Sequence, residues 1–134
     1  MIHLVPVGEV DRFWPLLAQG MDRGCRKARS YLSEPDLHQA CQTGRYTLHV
    51  ATKGNNIAGG VVTNTYPSPW GKTLEVIALS GDDLSTWARD LLEYPWLKSE
   101  GIRRVIAEGR PGLGKLLKKH VPIKVVRHTY EVVL

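Results

Sequence analysis

Hydrophobic spacing along the chain switches between a period of two and a period of three to four residues, and the switches mark out the elements. Ile2-His3-Leu4-Val5-Pro6-Val7 predicts a first strand, ended by Pro6 and Gly8. Val10, Phe13, Trp14, Leu17 and Met21 then recur at helical spacing and predict an amphipathic helix from Glu9 to Met21. Pro15 fits its first turn if the helix begins near Asp11 or Arg12, and Gly20 and Gly24 are the expected stops. A second helix is predicted from Ser33 to Gln42. Ser33 is its N-cap, Pro35 lies in its first turn and Gly44 is its stop.

Alternation takes over at Tyr46 to Ala51, and Lys53-Gly54-Asn55-Asn56 reads as a hairpin turn into a strand from Ile57 to Thr65. Gly59-Gly60 marks a bulge or a close approach. After the loop Tyr66-Pro67-Ser68-Pro69-Trp70-Gly71, the stretch from Leu74 to His120 reads as strand, turn, helix, strand, glycine-rich turn, helix. Its strands are Leu74–Leu79 and Arg104–Glu108. Its helices are Leu84–Leu97 and a short basic one opened by Gly109-Arg110-Pro111-Gly112. Ile123–Arg127 and Thr129–Leu134 complete the pattern as two strands or one long bent strand.

The order β-α-α-β-β-β-α-β-α-β, with a further β at the end, predicts an α/β (α+β) domain spanning residues 1–134. Its sheet is mixed and mostly antiparallel, with about six or seven strands flanked by about four helices. Hairpins that give way to a βαβ crossover should splay the central strands and open a groove beside Leu74–Leu79.

Composition changes this picture little. A chain of 134 residues with 43% hydrophobic content suits one soluble core. No apolar run is long enough for a membrane span, and Met1-Ile2-His3-Leu4 lacks a signal pattern, so a cytoplasmic setting is expected. Cys25 and Cys41 have no metal spacing and read as reduced, buried or half-buried residues; no metal site is expected. The net charge of +5 favours an anionic partner.

The element order, with the turn Gly109-Arg110-Pro111-Gly112 and the helix Leu113 to His120, resembles the GNAT superfamily of N-acetyltransferases over nearly the whole chain. The turn is similar to that of small divergent members carried by bacteriophages, for which the setting would be the host cytoplasm. The resemblance implies that acetyl-CoA lies in the groove, its pantetheine paired with the backbone of Val76, Ile77, Ala78 and Leu79. Its pyrophosphate would sit at the next helix start, on Gly81, Ser85 and Thr86, where a helix N-terminus supplies donors and positive potential. Arg110 and Lys115 are the further phosphate-binding candidates. Two features depart from the family pattern: Asp82-Asp83 stand where a diphosphate would dock, and Leu117 stands near the position of the family's acidic tyrosine.

For the base that takes a proton from the acceptor amine, the resemblance points to Glu75 and Glu108, carboxylates placed to be raised in pKa by a half-buried groove. The acceptor would be an amine-bearing molecule or a protein. Arg23, Arg26, Lys27 and Arg29 form a basic rim suited to an anionic partner. Trp14 and Trp87 fall on apolar helix faces and read as core, whereas Trp70 reads as a lid over the groove mouth or a cap on the core. Three functions follow as expectations: an acyl-CoA-dependent N-acyltransferase with a degenerate pyrophosphate loop, a catalytically idle scaffold such as a phage accessory or virion-associated factor, and a nucleic-acid-associated module. The β-rich C-terminus is also suited to edge-to-edge pairing in a homodimer.

Overall fold

The computed structural model of the protein describes residues 1–81, 89–108, 111–119 and 121–134. Its strands are β1 (Ile2–Val5), β2 (Thr47–Lys53), β3 (Asn56–Tyr66), β4 (Thr73–Gly81) and β5 (Arg104–Ala107). They form one sheet in the order β1-β2-β3-β4-β5. Neighbours are antiparallel up to β4, and β4 and β5 are parallel. The helices are α1 (Val10–Lys27), α2 (Glu34–Gln42), α3 (Pro95–Ser99) and α4 (Pro111–Lys118). The mixed sheet is as expected, but among the described residues it has five strands, and three helices reach eight residues.

The two faces of the sheet carry separate cores. On one face Val10, Trp14, Leu17, Met21 and Cys25 of α1 and Leu37, Ala40 and Cys41 of α2 pack on Leu48, Val50 and Val62. On the other, Ala51, Val61, Leu74 and Val76 meet Tyr94, Trp96, Leu97 and Ile102 around α3. Trp14 is core, as its helical spacing predicts. The hairpin turn lies where expected, with Lys53 paired to Asn56 across Gly54-Asn55.

Helix α1 does not stop at Gly20 or Gly24. A Cβ at Gly20 would stand 2.1 Å from Ser80 Oγ, and one at Gly24 would stand 3.1 Å from the Leu79 carbonyl oxygen. These glycines let the helix backbone lie directly on β4. The stop comes at Arg29, which takes a left-handed φ of 51°, and the Ser30 N–H closes on the Cys25 carbonyl. Because α1 begins at Val10, Pro15 falls in its second turn rather than its first.

Helix α2 begins as predicted. Ser33 Oγ accepts from the Asp36 N–H, and Asp36 Oδ2 accepts from the Ser33 N–H at 2.9 Å, closing a capping box. Those bonds hold the Asp36 carboxyl below its ordinary pKa. Ser33→Ala should cost about 1 kcal/mol in urea unfolding at neutral pH.

The helix expected across Leu84–Leu97 is interrupted. Residues 89–92 are helical, but Pro95 restarts the chain as the separate α3, since proline has no N–H to continue the ladder. The Asp82-Asp83, Ser85, Thr86 and Trp87 expectations lie outside the described residues. The C-terminal strands do not form. Residues 122–134 join no ladder, and Val132 and Val133 are 82% and 77% exposed. β-propensity makes a strand only when a partner edge is supplied. This segment is tied instead by ion pairs, Arg29 to Glu131 and Arg127 to Glu108 at 3.4 Å.

Candidate functional site

The cleft follows from the way the sheet comes apart. The β4–β5 ladder runs from Thr73–Arg104 to Val76–Ala107 and then ends. β4 continues to Gly81, paired only with β3. Beyond Val76, one edge of β4 therefore has no strand partner among the described residues, and its backbone donors and acceptors are open to an extended ligand. This is the groove that the hairpin-to-crossover order predicts.

A bulge sits at the point of divergence. Thr63 pairs with Val76 and Val62 with Ala78, which leaves Ile77 as the extra residue of β4. Ile77 and Ala78 accordingly both pack toward the α1 side. A second bulge falls at Ala58, because Ala51 pairs with Gly59 and Thr52 with Ile57. The bulge expected at Gly59-Gly60 is thus displaced by one residue. The close approach read there is present: a Cβ on Gly59 would lie 2.3 Å from the Ser80 carbonyl oxygen, and one on Gly60 would lie 2.7 Å from Leu17 Cδ1.

The far end of β4 is fastened by α1. Ser80 Oγ donates to the Leu17 carbonyl at 3.3 Å. Gly81 has a φ of 129°, and a Cβ there would collide with the Ala58 carbonyl oxygen at 2.4 Å. Glycine at this position is required by the backbone, whatever ligand it meets.

Glu75 lies just before the bulge and is half-buried. Leu74 and Val76 pack on the α3 face, so strand alternation turns Glu75 to the α1–α2 face. Its charge acts on Tyr46. Burial raises the Tyr46 phenol above its ordinary 10.0, and Tyr31 and Glu75 push in the same direction. Glu75 makes no ion pair among the described residues. Glu108 differs: it is exposed just after β5 and accepts from Arg127 Nη2 at 3.4 Å. The structure therefore separates the two carboxylates, one facing a half-buried sheet surface and the other tied to the C-terminal segment.

Ile77, Ala78, Leu79 and Gly81 line the unpaired part of β4, and Val76 is the last residue still paired to β5. Lys115 is exposed on α4, and Leu117 beside it is half-buried. Arg110 lies outside the described residues. Arg23, Arg26, Lys27 and Arg29 are all exposed, but Arg26 pairs with Asp22 at 3.0 Å and Arg29 with Glu131, so part of the basic rim is internally neutralised.

Trp70 is neither lid nor cap. It is 71% exposed in the loop that precedes β4, at the opposite end of the strand from the divergence. Sequence reading missed Tyr46 and Arg104 as neighbours of Glu75, because only strand pairing brings them to one face. It also missed His49. This buried side chain shares bonds with Thr63 Oγ1 at 3.0 Å and the Tyr94 hydroxyl at 3.3 Å, and burial lowers its pKa to about 4. Alternating positions along Tyr46–Ala51 gave a face for His49 but no hint of its partners.

A mixed sheet that opens between parallel β4 and β5, with a bulge at the opening, gives the chain a GNAT-like fold. The chain is similar over 100% of its length to a ribosomal-protein-alanine N-acetyltransferase from Brucella melitensis biovar Abortus 2308, with a TM-score of 0.66, 16% identity and 99% of that chain covered. It is similar in the same way to an aminoglycoside acetyltransferase from an uncultured soil metagenomic sample, solved with sisomicin, with a TM-score of 0.62, 14% identity and 96% of that chain covered. A possible acetyltransferase from Clostridium difficile 630 gives a TM-score of 0.60 at 12% identity, with 100% of this chain and 98% of that chain covered. No protein-family model and no curated protein sequence matches the chain.

Proposed function

We propose that the protein is an acyl-CoA-dependent N-acyltransferase that uses the opening between β4 and β5. The observation that carries this reading is the end of the β4–β5 ladder at Val76–Ala107 beside the Ile77 bulge, with half-buried Glu75 immediately before it. Such an opening supplies strand-edge hydrogen bonds to an extended pantetheine arm. In this reading the backbone of Val76, Ile77, Ala78 and Leu79 holds that arm, Gly81 and Lys115 serve the phosphates, and Ser85, Thr86 and Arg110 remain phosphate candidates outside the described residues. An acyl thioester bound there supplies the acyl group and a thiolate leaving group. Glu75 takes the proton of the acceptor amine at its carboxylate. The site is built from one chain and suits the cytoplasm.

One observation favours the second reading, an idle binding scaffold of the kind phages use as accessory or virion factors. Leu117 lies half-buried on α4 where the GNAT pattern carries an acidic tyrosine, and a leucine donates no proton. In the transferase reading, by contrast, the thiolate takes its proton from water.

The two readings separate in thermal unfolding with about 1 mM acetyl-CoA against CoA and ATP controls. A ligand at about 100 times its Kd adds about 2.7 kcal/mol, so the midpoint should rise by several degrees. A shift specific to acyl-CoA supports the transferase. No shift leaves the scaffold.

A further inference from the structure

Arg104 is the first residue of β5, and its Nε is buried without a hydrogen-bond partner. A buried donor left unmade costs free energy, more so when it carries charge. Arg104 also makes no ion pair among the described residues. Val105 packs on the α3 face, so alternation puts Arg104 on the α1–α2 face. Arg104 pairs with Thr73 and Ile106 pairs with Glu75, which sets Arg104 and Glu75 on neighbouring strands of that face, one alternation apart. Asn64 pairs with Glu75 from the other side, and Tyr46 lies within electrostatic reach of Glu75. The result is a polar strip across the lower sheet, with a cation toward its β5 edge and a carboxylate on β4 that do not neutralise each other.

We infer that this strip takes an acceptor amine that itself carries a carboxylate. The buried Nε is out of a ligand's reach, so the two Nη groups at the partly exposed end of Arg104 are what a carboxylate would meet, through two parallel hydrogen bonds, with Glu75 serving the amine end. A neutral acceptor offers the guanidinium no counter-charge, so the strip selects against it. The inference rests on the transferase reading for the fate of the amine, but the binding preference stands apart from it.

The test uses the full chain and three amines of similar length: 4-aminobutyrate, 4-aminobutanamide and butylamine. Titration calorimetry without coenzyme should show 4-aminobutyrate binding about tenfold or more tightly than the other two. Arg104→Met should erase that difference and leave butylamine unchanged, and Arg104→Lys should restore part of it. Urea midpoints verify that each variant folds; if Arg104→Met does not, Arg104→Gln takes its place. Equal binding of the three amines, or a preference that survives loss of the guanidinium, overturns the inference. The carboxylate preference with no acetyl-CoA shift would sink the transferase reading and keep the anion site. An acetyl-CoA shift without the preference would do the reverse.

Discussion

Glu75→Gln is expected to lower acyl transfer by about a hundredfold or more, the usual worth of a positioned proton acceptor. The amide keeps the size and shape of the carboxylate but takes no proton at neutral pH. The loss should therefore fall on kcat, with the acetyl-CoA thermal shift unchanged. Glu108→Gln is the control. Glu108 is exposed and bound by Arg127, so its replacement should leave the rate within about twofold, as surface substitutions away from a site do. Steady-state rates for both variants decide between them. A full-rate Glu75→Gln would remove Glu75 from the mechanism, and a slow Glu108→Gln would move the base to the end of β5.

The second large effect is on stability and comes from His49. The side chain is 1% exposed, bonded through both ring nitrogens, and in edge contact with Tyr94 and Trp96 at centroid distances of 5.5 and 4.8 Å. Burial holds its pKa near 4, against an ordinary 6.5. The folded state therefore binds this proton more weakly than the unfolded chain does. The stability from neutral His49 is complete above pH 6.5 and is lost as pH falls from there toward 4. By pH 4.5 the loss should reach about 2–3 kcal/mol. Asp11 and Asp36, both held below the ordinary carboxyl value of 3.8, still stay charged at that pH. Urea unfolding at pH 7.5 and pH 4.5 measures the difference, and His49→Gln should flatten most of it. A wild-type stability that is the same at both pH values would contradict the picture. Because His49 holds Tyr94 and Trp96 against the sheet, tryptophan fluorescence should report loosening of α3 over the same range.

Elements with strong local signals were legible without coordinates. The Val10-Trp14-Leu17-Met21 stripe is the buried face of α1. Ser33 with Pro35 opens α2. Gly54-Asn55 turns the hairpin, and the crossover between Leu74 and Ala107 gives the parallel β4–β5 pair. Each rests on residues within a few positions of one another, where spacing, caps and turn chemistry act. Gly20 and Gly24 misled because a glycine that ends a helix and one that lets a helix touch a strand look alike in sequence. The difference is Ser80 and Leu79, some sixty residues away along the chain.

The sequence by itself determined the alternation of elements and the mixed sheet, because hydrophobic period and turn residues are local properties of the chain. It also marked Glu75 as a strand carboxylate beside the future opening. Only the tertiary structure decided that the ladder ends at Val76–Ala107, that Ile77 is the bulged residue, and that the β-rich segment after Pro122 pairs with no strand. It alone brought Arg104, Tyr46 and Glu75 onto one face, and His49 among Thr63, Tyr94 and Trp96. Register and strand partnership are set by which distant edges meet. A site made of residues so far apart in the chain therefore exists only once the sheet has closed.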